Sequence, residues 1–199
     1  MREHGASAVG RHGFPLINIL AISGSLRAAS LNSMLLRAVQ RLAPSDIHID
    51  LYRGLGALPP FNPDLEALGR PAAVAELRSR IISSHSVLIA APEYAHGISG
   101  VIKNALDWMV CNESFVNKPV GLLNASPRAS IAQAALRETL ITMSARVVPA
   151  ACVAVGILGS GLDEEGIARH PEISVVLLGA LRALQSHRLP VRQAATDGC

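Results

Sequence analysis

Residues 16–32 read LINILAISGSLRAASLN. The opening run, 16–23, is dominated by Ile and Leu and is closed by Gly24. A short run that is apolar at nearly every position is the pattern of a strand covered on both faces. Beyond Gly24 and a polar turn, Leu31, Leu35, Ala38, Val39 and Leu42 recur at helical spacing, which predicts a helix over 31–42. The same unit of strand, turn and helix then repeats along the chain. Residues 47–51 (IHIDL) alternate like a strand, and 53–64, with three prolines and two glycines, read as a loop. A helix is expected over 72–82, entered through Pro71, and a buried strand over 87–91 (VLIAA), stopped by Pro92. Helices over 100–110, 130–144 and 172–186 and strands over 119–124 and 147–155 complete the pattern. Short apolar strands alternating with helices imply repeated βαβ units. The expectation is an α/β domain over residues 15–187: a doubly wound, parallel, five-stranded sheet with helices on both faces. Residues 1–14 and 188–199 read as mobile tails.

Composition narrows the function classes. In 199 residues, half are hydrophobic and 17% are charged, which excludes an acidic solvating or disordered chain. Area scaling for this mass buries about 70% of the unfolded surface, so a core forms without staples. One Trp, two Tyr and three Phe make a poor stacking platform for single-stranded nucleic acid. The net charge of +3 comes from basic residues scattered singly, so no nucleic-acid face is expected. Cys111, Cys152 and Cys199 form no CxxC pair, and the seven His lack metal-ligand spacing, so no metal site is expected and a reducing, cytoplasmic location is the default. No secretory signal or membrane-spanning run is read: 147–158, the longest late apolar stretch, contains Pro149 and Gly156.

In a sheet of this kind ligands sit outside the carboxyl ends of the strands. Three loops fall there. The first, 23–32, is neither GxGxxG nor a Walker loop. It offers hydroxyls at Ser23, Ser25 and Ser30, the amide of Asn32, the guanidinium of Arg27 and the free N–H groups of a helix start. That set suits a terminal phosphate; it equally suits an ordinary turn with a helix cap. The second, 92–100 (PEYAHGISG), follows a buried strand and carries Tyr94, on which a planar ligand can rest, with Ser99 placed to cap the next helix. Glu93 and His96 have no nucleophile beside them, and Gly97–Gly100 is not the GxSxG elbow, so no catalytic acid, base or nucleophile is assigned. Lys103 and Asp107, four apart, read as a solvated helix pair. The third loop, 124–130 (NASPRAS), is again small and polar.

Together these loops resemble the NADPH-dependent FMN reductases of flavodoxin-like fold. SGSLRAASLN resembles their phosphate loop, PEYAHGISGVIKNALDW their flavin-ring loop and its helix, and LLNASPRASIAQAALRETL their third flavin loop. The resemblance runs from about Ile17 to Val155. It implies FMN as cofactor, NADPH or NADH as hydride donor, and a small-molecule acceptor such as a quinone, azo compound, metal oxyanion or free flavin. By position it places Ser25, Arg27, Ser30 and Asn32 at the FMN phosphate, Pro92, Glu93, Tyr94 and Ala95 at the ring with His96 and Gly97 beside them, and Ser126 as the hydroxyl of the third loop. The chain departs from many relatives at Ser99, where they carry Pro, and at Ala129 and Ser130, near which they carry glycine. The alternative is a non-enzymatic FMN-binding electron carrier or flavin-holding interaction protein. Such carriers are acidic and rich in aromatics, and this chain is neither. The resemblance also implies a homodimer or homotetramer. The apolar residues Ile102, Leu106 and Met109 on one helix, and Leu136, Leu140 and Met143 on another, are expected to supply the association surface.

Overall fold

The computed structural model describes residues 16–189. Of the expected tails, 1–14 and 188–199, all but residues 188 and 189 lie outside the described residues.

Strands β1 (Ile17–Ser23), β2 (Ile47–Tyr52), β3 (Ser86–Ala90), β6 (Pro119–Asn124) and β7 (Arg146–Ala154) form one parallel sheet in the order β2-β1-β3-β6-β7. A hairpin of β4 (Glu93–Tyr94) and β5 (Gly97–Ile98) stands apart from it. Counted along the sheet alone, the order is 2-1-3-4-5, the flavodoxin-like winding. Along β1 the side chains alternate between two cores. Ile17, Ile19 and Ala21 join a cluster with Leu35 and Val39 of α1 (Leu31–Leu42), Ile167 of α6 (Glu164–Arg169) and Leu181 of α7 (Pro171–Ser186). Leu20 and Ile22 join a second cluster with Leu77 of α3 (Ala72–Ser83), Leu106 of α4 (Gly100–Val110) and Leu136 of α5 (Ser130–Thr142). This explains why the strand shows no polar alternation: each face is buried, each such side chain contributing about 1.5–3 kcal/mol.

Most elements fall where the sequence puts them, within a residue or two at their ends. Two differ in kind, and one in where it ends. The 53–64 loop carries a 3-10 turn at Gly54–Ala57 and opens into α2 (Pro63–Ala67), capped by the Asn62 side chain, which accepts from the Asp64 N–H at 2.9 Å. Helix α6 has no expected counterpart; it is capped by Asp163, which accepts from the Gly166 N–H at 2.7 Å, and is docked by the ion pairs of Glu164 with Arg37 and Arg41 of α1. The 130–144 helix stops at Thr142, because Ser144 turns left-handed at φ 60°.

The faces expected to drive association are spent within the chain. Ile102, Leu106, Met109, Leu136 and Leu140 are all at most 3% exposed, and Met143 packs against the same core. Their apolarity is the requirement of a sheet covered by three helices. The exposed apolar side chains on helices α5 and α7 are instead Ile131, Ile141, Val175 and Val176. Among the described residues no helix is long and apolar enough to cross a membrane.

Candidate functional site

The winding of the sheet reverses between β1 and β3, and the crevice beside such a reversal is where open α/β sheets bind ligands. The first two loops meet there. Gly24 N–H donates to the Ala90 carbonyl at 2.8 Å. A Cβ on Gly24 would stand 2.8 Å from both Ala91 Cβ and Ile102 Cγ1, so only glycine lets the first loop lie on the end of β3 and on α4.

The first loop is organised by its own hydroxyls. Ser23 and Ser33 share a hydrogen bond at 2.7 Å, and Ser25 Oγ accepts from the Arg27 N–H at 3.3 Å. Ser30 is the N-cap of α1: its carbonyl accepts from Met34, and its Oγ accepts from Ser33 N–H at 3.3 Å. The first-turn N–H groups of Leu31 and Asn32 have no intrahelical acceptor. The Oδ1 of buried Asn32 has no hydrogen-bond partner, and Arg27, exposed, has no carboxylate partner among the described residues. Two open N–H groups and an exposed guanidinium in one loop are the donors that the phosphate end of a cofactor requires.

The second loop is the β4–β5 hairpin. Its two central residues, Ala95 and His96, both have positive φ, 48° and 58°. Such a two-residue turn favours Asn-Gly; a left-handed non-glycine residue costs about 1–3 kcal/mol and persists where its surroundings hold it. The hold comes from Glu93. Its Oε1 lies 2.9 Å from His96 Nδ1, and its Oε2 accepts the Ala132 N–H at 2.9 Å. The Ala132 N–H holds the Glu93 carboxyl below the ordinary range against the upward push of desolvation, with His96 adding to the lowering. Tyr94, Ala95 and His96 are exposed, and Pro92 and Gly97 are half-buried.

The third loop is closed by Asn124. Its Oδ1 accepts from the Ser126 N–H and its Nδ2 donates to the Ala129 carbonyl, each at 2.9 Å. Ser126 is half-buried. The structure thus brings Ser25, Arg27, Ser30, Asn32, Pro92–Gly97 and Ser126 to the carboxyl ends of β1, β3 and β6. Three features of the site were not legible in the motifs. Asn124 fastens the third loop. Asn104 and Trp108 both donate to the Pro59 carbonyl, at 2.9 and 2.8 Å, and pin the 58–61 segment, with Phe61 edge-on to Trp108. Ser99 sits at the N-cap of α4 but makes no side-chain cap; its carbonyl accepts from Ile102 and Lys103, while its buried Oγ has no partner. Lys103 and Asp107 do pair at the surface, as their spacing predicts.

A family model for NADPH-dependent FMN reductases matches residues 17–158, the whole span from β1 to the end of the sheet. The chain belongs to that family. Relatives agree with it. An NAD(P)H-dependent FMN reductase of Pseudomonas aeruginosa is 33% identical over 174 residues, covering 85% of this chain and 94% of its own. A quinone reductase of Escherichia coli K12 is 28% identical over 156 residues, covering 75% and 82%. Among solved structures, the flavoenzyme NAD(P)H:(acceptor) oxidoreductase of Paracoccus denitrificans superposes with a TM-score of 0.71 at 29% identity, over 87% of this chain and all of that one. As a member of the FMN reductase family this chain is an oxidoreductase with a flavodoxin-like fold that works with FMN and NAD(P)H.

Proposed function

We propose that this reductase passes two electrons from NAD(P)H to a small-molecule acceptor, with quinones as the first class to test. The observation that carries the reading is the meeting of three loops at the β1/β3 reversal, joined by Gly24 to Ala90 and by Glu93 to Ala132. When bound there, FMN supplies the redox chemistry, accepting hydride from NAD(P)H and yielding electrons to the acceptor. The chain's own residues position it. Ser25, Arg27, Ser30 and Asn32 hold the phosphate, Pro92 to Gly97 border the ring, and Ser126 adds a hydroxyl from the third loop. No side chain is assigned a proton-transfer role. The quinone reductase among its relatives supports the acceptor class; azo compounds, metal oxyanions and free flavin belong to the same proposal. So do a single domain over 15–187, a cytoplasmic location and association into a homodimer or homotetramer.

The test is a visible spectrum of the purified protein with FMN, taken anaerobically before and after NADPH and again after a benzoquinone is added. Bleaching by NADPH and recovery with quinone is the expected result. A protein that binds no FMN, or whose bound flavin NAD(P)H leaves oxidised, overturns the proposal. Reduction without recovery by quinone moves the acceptor to another of the named classes.

A further inference from the structure

We infer that Glu93 is a positioning residue that latches the ring-side hairpin to the amino end of α5, so that the second and third loops form one surface. The inference rests on the proposed FMN site. Four observations on different elements converge. Helix α5 begins without a side-chain cap of its own, because Ala129 at its N-cap has none to offer. Its Ala132 N–H is satisfied instead by Glu93, which lies 39 positions earlier in the chain. The other oxygen of the same carboxylate faces His96, in a turn whose two central residues are both left-handed. Finally, the loop leading into α5 is closed on its far side by Asn124 through Ala129.

The geometry requires an acceptor with two oxygens, or one oxygen and a donor, on a stem long enough to reach both neighbours. An acceptor at a helix N-terminus is favoured by the exposed N–H groups and by the helix dipole. Glu93 is therefore half-buried under the hairpin and directed along the protein, with one oxygen given to each flanking segment. Both of its oxygens are engaged by neighbouring groups, so it is not disposed as a free acid.

The test compares wild type with Glu93→Ala and Glu93→Gln. The glutamine keeps an oxygen for the Ala132 N–H and a nitrogen for His96. In the apoprotein, amide hydrogen exchange is followed at 94–98 and at 130–132, with far-UV circular dichroism to confirm folding. FMN dissociation constants are then read by fluorescence. In Glu93→Ala, exchange should rise in both segments together and FMN affinity should fall by about 10-fold or more. Glu93→Gln should stay within about 3-fold of wild type. Exchange that rises only in the hairpin, wild-type FMN affinity in Glu93→Ala, or a glutamine variant as weak as the alanine one overturns the latch. Should Glu93→Ala not fold, wild-type exchange and affinity in Glu93→Gln would uphold it and losses in either would overturn it. Absence of FMN binding by the wild-type protein is a different result, and defeats the site itself.

Discussion

Gly24 lies against Ala91 so closely that a methyl group on it would stand 2.8 Å from the Ala91 Cβ. Neither side can yield easily. Ala91 Cβ is fixed to the backbone, and Ile102, the other neighbour, is 2% exposed in the core. Gly24→Ala is an overpacking substitution, with an expected cost of about 1–3 kcal/mol. For a domain of this size that is a fall in Tm of roughly 2–12 °C. The first loop would also be lifted from the end of β3, so FMN affinity should drop with it. Differential scanning fluorimetry with and without FMN checks both, and an unchanged Tm would show that the loop has room the structure denies it.

That close approach was hidden in the sequence, although the glycine was not. A glycine after an apolar run marks the end of a strand, but which chain it must touch depends on β1 lying beside β3. The five strands were legible because each is short, four of them being largely apolar runs and β2 an alternating one, and each lies between turn or helix signals. Helix α6 was not: at six residues it is too short for a periodic stripe, and its anchors, Glu164 to Arg37 and Arg41, are far apart in sequence. The site was legible as residue types on three loops. What joins the second loop to the third, Glu93 to Ala132, and what closes the third, Asn124 to Ala129, runs through backbone groups, which every sequence contains and none distinguishes. The association faces misled for a related reason. Ile102 and Leu136 look surplus on a single helix, and only the layered fold shows that the sheet consumes them.

Arg27 tests the phosphate loop. It has no carboxylate partner among the described residues, and its loop contributes free N–H groups suited to one terminal phosphate. Arg27→Ala should weaken FMN binding by about 1.5–3 kcal/mol, the range for a hydrogen bond to a charged group, or about 10- to 150-fold. FMN should also bind more tightly than FAD, since no dinucleotide fingerprint is present. Fluorescence titration of apoprotein gives both comparisons. Equal constants for wild type and variant would remove Arg27 from the site.

Association is predicted although the faces first assigned to it are buried. Ile131 and Ile141 stand exposed on α5, at 51% and 46%, and Val175 and Val176 on α7, at 69% and 41%. Exposed Ile and Val of this kind mark contact surfaces when they are contiguous. Light scattering at micromolar concentration should return at least twice the 20.9 kDa chain mass. A single chain mass at that concentration would end the proposal of a dimer or tetramer.

Asp46 sets an acid limit on stability far from the flavin loops. Its side chain is fully buried and accepts from Arg182 Nη1 at 2.5 Å and from Gln185 Nε2 at 3.1 Å, tying α7 to the turn before β2. The Arg182 hydrogen bond holds its carboxyl below the ordinary value, against the opposing push of burial. A carboxylate whose pKa is depressed on folding stabilises the fold above its unfolded value near 3.9, and that contribution is lost as pH falls through the folded value. Asp46→Asn should cost about 1.5–3 kcal/mol at pH 7, because the Arg182 and Gln185 donors lose a charged acceptor. Urea midpoints should show the gap at pH 7 and a narrower one near pH 3. A gap that is constant with pH would mean that Asp46 contributes as a hydrogen-bonding group and not as a charge.

A substrate order is predicted from the one strand-end crevice that, among the described residues, has the donor chemistry for a flavin, and from the lack of a second nucleotide fingerprint in the sequence. Among the described residues the five long strands all belong to one sheet, and the flavin loops share its one end. The nicotinamide and the acceptor must then approach the same exposed side of the hairpin and third loop, one leaving before the other enters. Tyr94, Ala95 and His96 are exposed on that side and are expected to line the approach for both. A site used twice gives a ping-pong scheme, in which raising one substrate shifts the double-reciprocal plot for the other without changing its slope. Initial rates over a grid of NADPH and benzoquinone concentrations should yield parallel lines, with competitive inhibition by each substrate against the other at high concentration. Intersecting lines would mean that both are bound at once, and a second subsite would have to be sought on the chain.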